Sequence, residues 1–432
     1  MAYIEKFIAE GREYFNSRCD RDIERYRKGD FTVKVLHDGC PAENAKVTFD
    51  LKKLDFELGC NIFMLEQYDD KQAQETYEKL WLKLFNTAVI PLYWEGTEPK
   101  PGYLRYDKDT PNDVYRRPPA SCVVEFCRKH ELNMKGHPLF WQEFIPKWLP
   151  EDWNELLPLI EKRFREISER YADIIPVFDS VNEPSRLFDQ LFEYIGKDWK
   201  CIHPPKGYIE QIFESARKYF PHNTLVLNEA TDAAFCEFRG PYGGYLLLLE
   251  KLLNKGVSID RIGLQCHCGD NPRYKNIFNA QRLYHVLDGY AELGKPLVVS
   301  EIGMSSADEE LQAAAAEQMY KVCFSHPSMS GVFWWNLDDN GVLCDKQRNA
   351  EGENLPYSGI VRNGRPKAAY KALDRLINRE WTTNGSAVLS NGRCEFRGFY
   401  GTYNITVEAD GVRKTVAAKL IKDCRNAVEI EI

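Results

Sequence analysis

Two glutamates stand where packing alone hardly accounts for a carboxylate. Glu183 lies in "FDSVNEPS", residues 178–185, and Glu301 in "PLVVSEIGM", residues 296–304. Each closes an apolar run of strand character, and 118 residues separate them. Two carboxyl groups brought face to face suit cleavage of a glycosidic bond. One, held as the acid, protonates the leaving oxygen, and the other, ionised, attacks the anomeric carbon. The alternative is a pair of strand-end carboxylates tied to Arg or Lys in a wall of the fold. The polar company of the two Glu favours the chemical reading. His137 closes a run in "GHPLFW", and Asn182 precedes Glu183, where its amide can donate to a sugar hydroxyl. Gln265 and His267, two apart in "GLQCHC", point the same way from one strand. His267 facing Glu301 from the neighbouring strand would keep that carboxylate ionised and oriented. Trp141, Trp334 and Trp335 add flat apolar faces on which sugar rings can stack.

Positioning such a pair takes a frame that brings distant run ends together. From about residue 56, short apolar runs alternate with helical patterns: "FELGCNIF", "AVIPLYW", "NMKGHPLFW", "IIPVFDSVN", "NTLVLNE", "RIGLQCHC", "PLVVSE" and "GVFWWNL". Residues 153–171, 208–220, 244–255 and 308–325 carry helical periodicity, and 365–377 reads as the last helix. Eight such units over 56–378 fit an α/β fold, the (β/α)8 TIM barrel, whose functional groups sit at the C-terminal ends of its strands. Glu183 then ends the fourth strand and Glu301 the seventh, facing each other across the mouth. A doubly wound sheet is the rival, but no Gly-rich phosphate turn follows any strand.

The ends of the chain have a different style. Residues 2–27 read as one charged amphipathic helix and 31–53 as two strands. Beyond 378, "GRCEFRGFYGTYNITVEADGVRKTVAAKL" alternates, with turn glycines and no long helix. Neither set of strands is large enough to bury a core alone. Segments 1–55 and 379–432 are therefore expected to build one small accessory β domain beside the barrel. In it Val33, Val35, Val47 and Phe49 would face Phe396, Phe399 and Tyr403.

Of 432 residues, 44% are hydrophobic and 13% aromatic, enough for a large core with rings left over for a cleft. A formal net charge of -8 argues against a nucleic-acid partner. No run reaches the roughly 18 apolar residues of a membrane span. The N-terminus "MAYIEKFIAEGREYF" has no apolar leader core, and the 13 Cys are odd in number and lack C-x-x-C pairs. The expectation is a monomer in a reducing, cytoplasmic compartment, the alternative being a secreted protein whose leader has been removed. "CHC" at residues 266–268 suggests a metal only until alternation is applied. Cys266 and Cys268 on one face and His267 on the other cannot converge on one ion. No metal or cofactor is expected.

These segments, in this order, resemble glycoside hydrolase family 10, the family of retaining endo-β-1,4-xylanases, over roughly residues 56–378. "FDSVNEP" is similar to the family's acid/base strand, W-D-V-V-N-E, and "VVSEIGM" to its nucleophile strand, T-E-L-D. "MKGHPLFW" is similar to G-H-T-L-x-W, "GLQCHC" to Q-x-H, "GVFWWNLDD" to V-x-x-W-G-x-x-D, and "RPKAAYKAL" to the K-P-A-Y helix. The resemblance implies Glu183 as acid/base and Glu301 as nucleophile. His137, Trp141, Asn182, Gln265, His267 and Trp335, joined by Trp94 and Asn228, would bind the sugar. It implies a hydrolase that cuts β-1,4-xylosidic bonds in xylan or xylo-oligosaccharides by double displacement. The alternatives are a related barrel hydrolase with another β-glycan or glycoside specificity, and a non-catalytic glycan-binding protein. The chain also departs from the pattern. "FNTAVIPLYWEGTEPKPG" lacks the Glu-Asn and the Lys of the family's E-N-x-M-K-W. Gln142 replaces a His, Asn336 replaces a Gly, and "NGVLCDKQRN", residues 340–349, lacks a second Trp.

Overall fold

The computed structural model describes residues 2–43, 45–111, 114–185, 201–269, 271–339, 357–409 and 411–432. Eight parallel strands close on themselves: Glu57–Asn61, Thr87–Pro91, Asn133–His137, Val177–Asn182, Thr224–Glu229, Arg261–Gly269, Leu297–Ser305 and Met329–Trp334, the last pairing with the first. Each apolar run identified above carries one of them, and the α/β barrel class is the observed one. Val89, Val177, Val226, Val298 and Phe333 fill the inside of the barrel. Residues of the other parity, such as Leu225, Leu227, Leu264 and Val299, face the surrounding helices. Helices start where a side chain can satisfy their free N–H groups. Asp152 accepts from Asn154 N at 2.8 Å ahead of Trp153–Tyr171, and Asp308 accepts from Glu310 N and Leu311 N ahead of Glu309–Ser325. No described helix is long and apolar enough to cross a membrane.

Strict alternation fails in two strands, and the failures aim the site. In the fourth strand the register with the fifth shifts between Asp179 and Val181. In the seventh, Val299 pairs with Leu264 but Glu301 with Gln265, so Ser300 is an extra residue. A bulge of this kind resets the phase of a strand. Continued alternation from inward-facing Val298 would turn Glu301 towards the helices. The bulge at Ser300 turns it into the mouth instead. The irregularity at Ser180 does the same for Asn182.

The chain ends form two further sheets outside the barrel. Lys28–His37 pairs antiparallel with Arg393–Phe399 and parallel with Ala427–Glu431. Lys46–Leu54 lies between Asn384–Val388 and Gly401–Ala409, and the latter pairs with Val412–Leu420. The sheets enclose Phe31, Val33, Val35, Val47, Phe396, Tyr403 and Ile405, with Phe396 stacked on Phe49 at 4.0 Å. Phe399 does not join them. It packs in the barrel's outer layer against Phe324, whose ring stacks on Trp381 at 4.0 Å. The N-terminal stretch is two helices, Ala2–Glu10 and Arg12–Tyr26, not one. They meet at Gly11, where a Cβ would stand 2.7 Å from the Ala280 backbone nitrogen, so only glycine allows the approach. Ile4, Ile8, Phe15, Cys19 and Ile23 from these helices bury against the barrel's outer layer.

Candidate active site

Glu301 is 3% exposed and has hydrogen-bond partners on both carboxyl oxygens. Asn228 Nδ2 lies 2.9 Å and Gln265 Nε2 3.1 Å from Oε1, and His267 Nε2 lies 3.0 Å from Oε2. Amide N–H groups can only donate, so this ring of partners suits a carboxylate. Ser300 Oγ donates to Asn228 Oδ1 and so settles which end of that amide faces Glu301. Asn228 Nδ2 also donates to Asn182 Oδ1 at 2.8 Å, and Gln265 Nε2 reaches the same oxygen at 3.3 Å. One network thus joins Glu301 to the residue beside Glu183. Two glycines make room for it. A Cβ on Gly263 would stand 2.4 Å from Asn228 Oδ1, and one on Gly303 would stand 2.7 Å from His267 Nδ1.

Glu183 leaves the fourth strand with φ 50 and is 5% exposed. Its N–H donates to the Asn228 carbonyl at 2.7 Å, and its own carbonyl accepts from Gln142 Nε2 at 2.8 Å. A residue other than glycine in the left-handed region persists only where its surroundings fix it. Gln142, which stands where the family pattern has a His, is one of those constraints.

Below the site, fully buried Asp179 faces Lys135 and His137. His137 Nδ1 lies 2.7 Å and Lys135 Nζ 2.8 Å from Asp179 Oδ2, the latter as an ion pair rather than an aligned hydrogen bond. Burial alone would raise the Asp179 carboxyl, but Lys135 and His137 outweigh it and hold it below its ordinary value. The His137 ring lies edge-on to Trp335 at 5.2 Å and to Tyr93 at 5.4 Å. Trp141 stacks on Phe144 at 4.7 Å. The indole N–H groups of Trp141 and Trp335 are buried without an acceptor among the described residues. Buried donors of this kind ordinarily have a partner, and a bound hydroxyl would supply one.

The structure therefore brings together Glu183, Glu301, His137, Trp141, Asn182, Asn228, Gln265, His267 and Trp335. Two sequence candidates lie elsewhere. Trp94 packs in the barrel's outer layer, its Nε1 on Glu98 Oε2 at 3.2 Å and the Arg163 guanidinium 5.1 Å from its ring centre. Its neighbour Tyr93 faces the site, with the Arg117 guanidinium 3.6 Å from its ring centre. Trp334 is likewise wholly buried in the outer layer, donating from Nε1 to the Ser358 carbonyl at 3.1 Å, while Trp335 lines the mouth. Cys266 and Cys268 point to the helices, opposite His267. "NGVLCDKQRN" lies outside the described residues. Asp179 and Lys135 were missed. The signal was available: Lys135 shares a face with His137, and Asp179 sits in the same eight residues as Glu183.

A closed parallel barrel with carboxyl side chains at its mouth, one just after the fourth strand and one on the seventh, has the layout of a glycoside-cleaving barrel. The chain belongs to glycosyl hydrolase family 10, whose sequence profile matches residues 66–375. It is 26% identical over 411 residues to the anti-sigma-I factor RsgI6 of Acetivibrio thermocellus, covering 92% of this chain and 47% of that protein. It is 25% identical over 342 residues to endo-1,4-beta-xylanase 1 of Arabidopsis thaliana, covering 77% of this chain and 32% of that protein. The chain thus spans less than half the length of either relative. Among solved structures, xylanase 10B from Thermotoga petrophila in complex with xylobiose matches with a TM-score of 0.57 and 20% identity, over 76% of this chain and 95% of that one. That likeness is one of fold.

Proposed function

We propose that the chain is a retaining glycoside hydrolase that cuts β-1,4-xylosidic bonds in xylan or xylo-oligosaccharides. The observation that carries this is the donor ring around Glu301, linked through Asn228 and Asn182 to the residue beside Glu183. In the first step Glu301 attacks the anomeric carbon as Glu183 gives its proton to the leaving oxygen. In the second, Glu183 takes a proton from water, and the water displaces Glu301 from the sugar. Asn182 Oδ1 accepts from Asn228 and Gln265, which leaves its Nδ2 for a sugar hydroxyl beside the reacting carbon. The xylan assignment is supported by relatives named as xylanases.

A second reading is glycan binding without turnover, as in a sensing module. The match to an anti-sigma factor favours it, because that match extends over 411 residues where the match to the plant xylanase covers 342. A panel of xylan, arabinoxylan, mixed-linkage β-glucan and cello-oligosaccharides separates the readings by released reducing ends. Xylo-oligosaccharides are the expected product. Release from glucans alone would move the specificity, and tight binding with no release from any substrate would favour the sensing module.

A further inference from the structure

The strained exit of Glu183 from its strand is held largely by the end of the fifth strand. Glu183 N donates to the Asn228 carbonyl, and Pro184 has no N–H to offer. Ser185 N donates to Glu229 Oε2 at 3.1 Å, and Ser185 Oγ to Glu229 Oε1 at 2.9 Å. Ala230 N donates to the same Oε1 at 2.7 Å and so ties the Glu229 carboxyl to its own strand end. We propose that Glu229 is a positioning residue for the acid/base: through Ser185 it holds the turn that aims the Glu183 carboxyl, an inference that rests on the catalytic reading above.

The setting of Glu229 fits that role. It is wholly buried, and no Lys, Arg or His lies within ion-pair distance among the described residues. The titratable groups that face it are Glu183 and, from three helices, Tyr208, Tyr245 and Tyr290. Burial pushes all three phenols above their ordinary value, so they stay uncharged. Burial also pushes the Glu229 carboxyl up to about 8, against the donors on Ala230 and Ser185 and with Glu183 adding to the rise. The three donors on its two carboxyl oxygens fix its orientation between the fifth strand and the Glu183 turn.

The test uses the full chain and a series of aryl β-glycosides that share one sugar, with leaving phenols from dinitrophenol to phenol. A misaimed acid harms only the leaving groups that need its proton. Glu229→Ala is expected to lower kcat/KM by about 30-fold or more for the phenyl glycoside and by less than about 3-fold for the dinitrophenyl one. Amide exchange at Glu183 and Ser185 should accelerate about 10-fold, while that of Leu264 in the sixth strand stays unchanged. Ser185→Ala removes one of the two hydrogen bonds from Ser185 to Glu229. It should show the same pattern at smaller size, and it serves if Glu229→Ala does not fold. Equal losses across the series, or unchanged exchange at Ser185, would overturn the proposal. Faster exchange at Ser185 in a chain that turns over no β-glycoside would overturn the catalytic reading and leave the brace standing.

Discussion

Glu301→Ala is expected to lower turnover by about 10⁴-fold or more, and added azide to restore it with a product of inverted configuration. On the proposed mechanism the substitution removes the nucleophile but leaves its surroundings. Asn228, Gln265 and His267 would then point their donors at a gap sized for a small anion. Azide bound there attacks from the side Glu301 used, and no second displacement follows. Glu183→Ala should behave differently. It should retain its first step on aryl glycosides whose phenols leave without a proton. If both variants lose activity equally on every substrate, or if azide leaves Glu301→Ala dead on the most activated substrate, the roles assigned to the two Glu are wrong.

Asp179→Asn is expected to destabilise the fold by about 3–5 kcal/mol, the usual cost of leaving one partner of a buried ion pair without the other. Lys135 is 2% exposed and has Asp179 as its counter-charge, with the Phe333 ring 5.1 Å away. The same substitution weakens the hold on His137 beneath Trp335. Asp179 is held below its ordinary value, so its unfolded carboxyl takes up protons first as the pH falls. Its stabilising contribution is full above an unfolded value of about 3.9 and is lost as the pH drops through the lower folded value. Unfolding measured from pH 3 to 8 should show the gap between wild type and variant widest near neutrality and closing in acid. A gap below about 1 kcal/mol at pH 7 would mean that water or backbone already neutralises Lys135.

What could be read along the chain was what depends on local pattern. Apolar runs separated by helical stretches marked all eight barrel strands, and the polar residues in or just after them marked Glu183, Glu301, His137 and Gln265, although the strands carrying Glu301 and Gln265 continue to Ser305 and Gly269. Trp94 followed from the resemblance and Trp334 from its residue type, and neither source fixes which face a side chain takes. Trp94 and Trp334 each sit next to another aromatic, Tyr93 and Trp335, and in each pair only one faces the mouth. A period of two decides between neighbours only if the phase is known, and the phase is reset at Ser180 and Ser300. Gly11, Gly263 and Gly303 acquire their meaning from what lies opposite them, which is distant in sequence. Phe399 lies three residues beyond Phe396, so alternation already turns it to the opposite face of its strand, where it meets Phe324 in the barrel's outer layer.

The central claim is a double displacement in which Glu301 is the nucleophile and Glu183 the acid and then the base. The stereochemistry of the first-formed product tests it most directly. A nucleophilic carboxylate opposite the acid, at a carboxyl separation of about 5–5.5 Å, leaves no room for water in the first step, so two inversions follow each other. Proton NMR recorded during early hydrolysis of a xylo-oligosaccharide should show the β-anomer appearing first and the α-anomer growing only as mutarotation proceeds. An initial α-anomer would contradict the account.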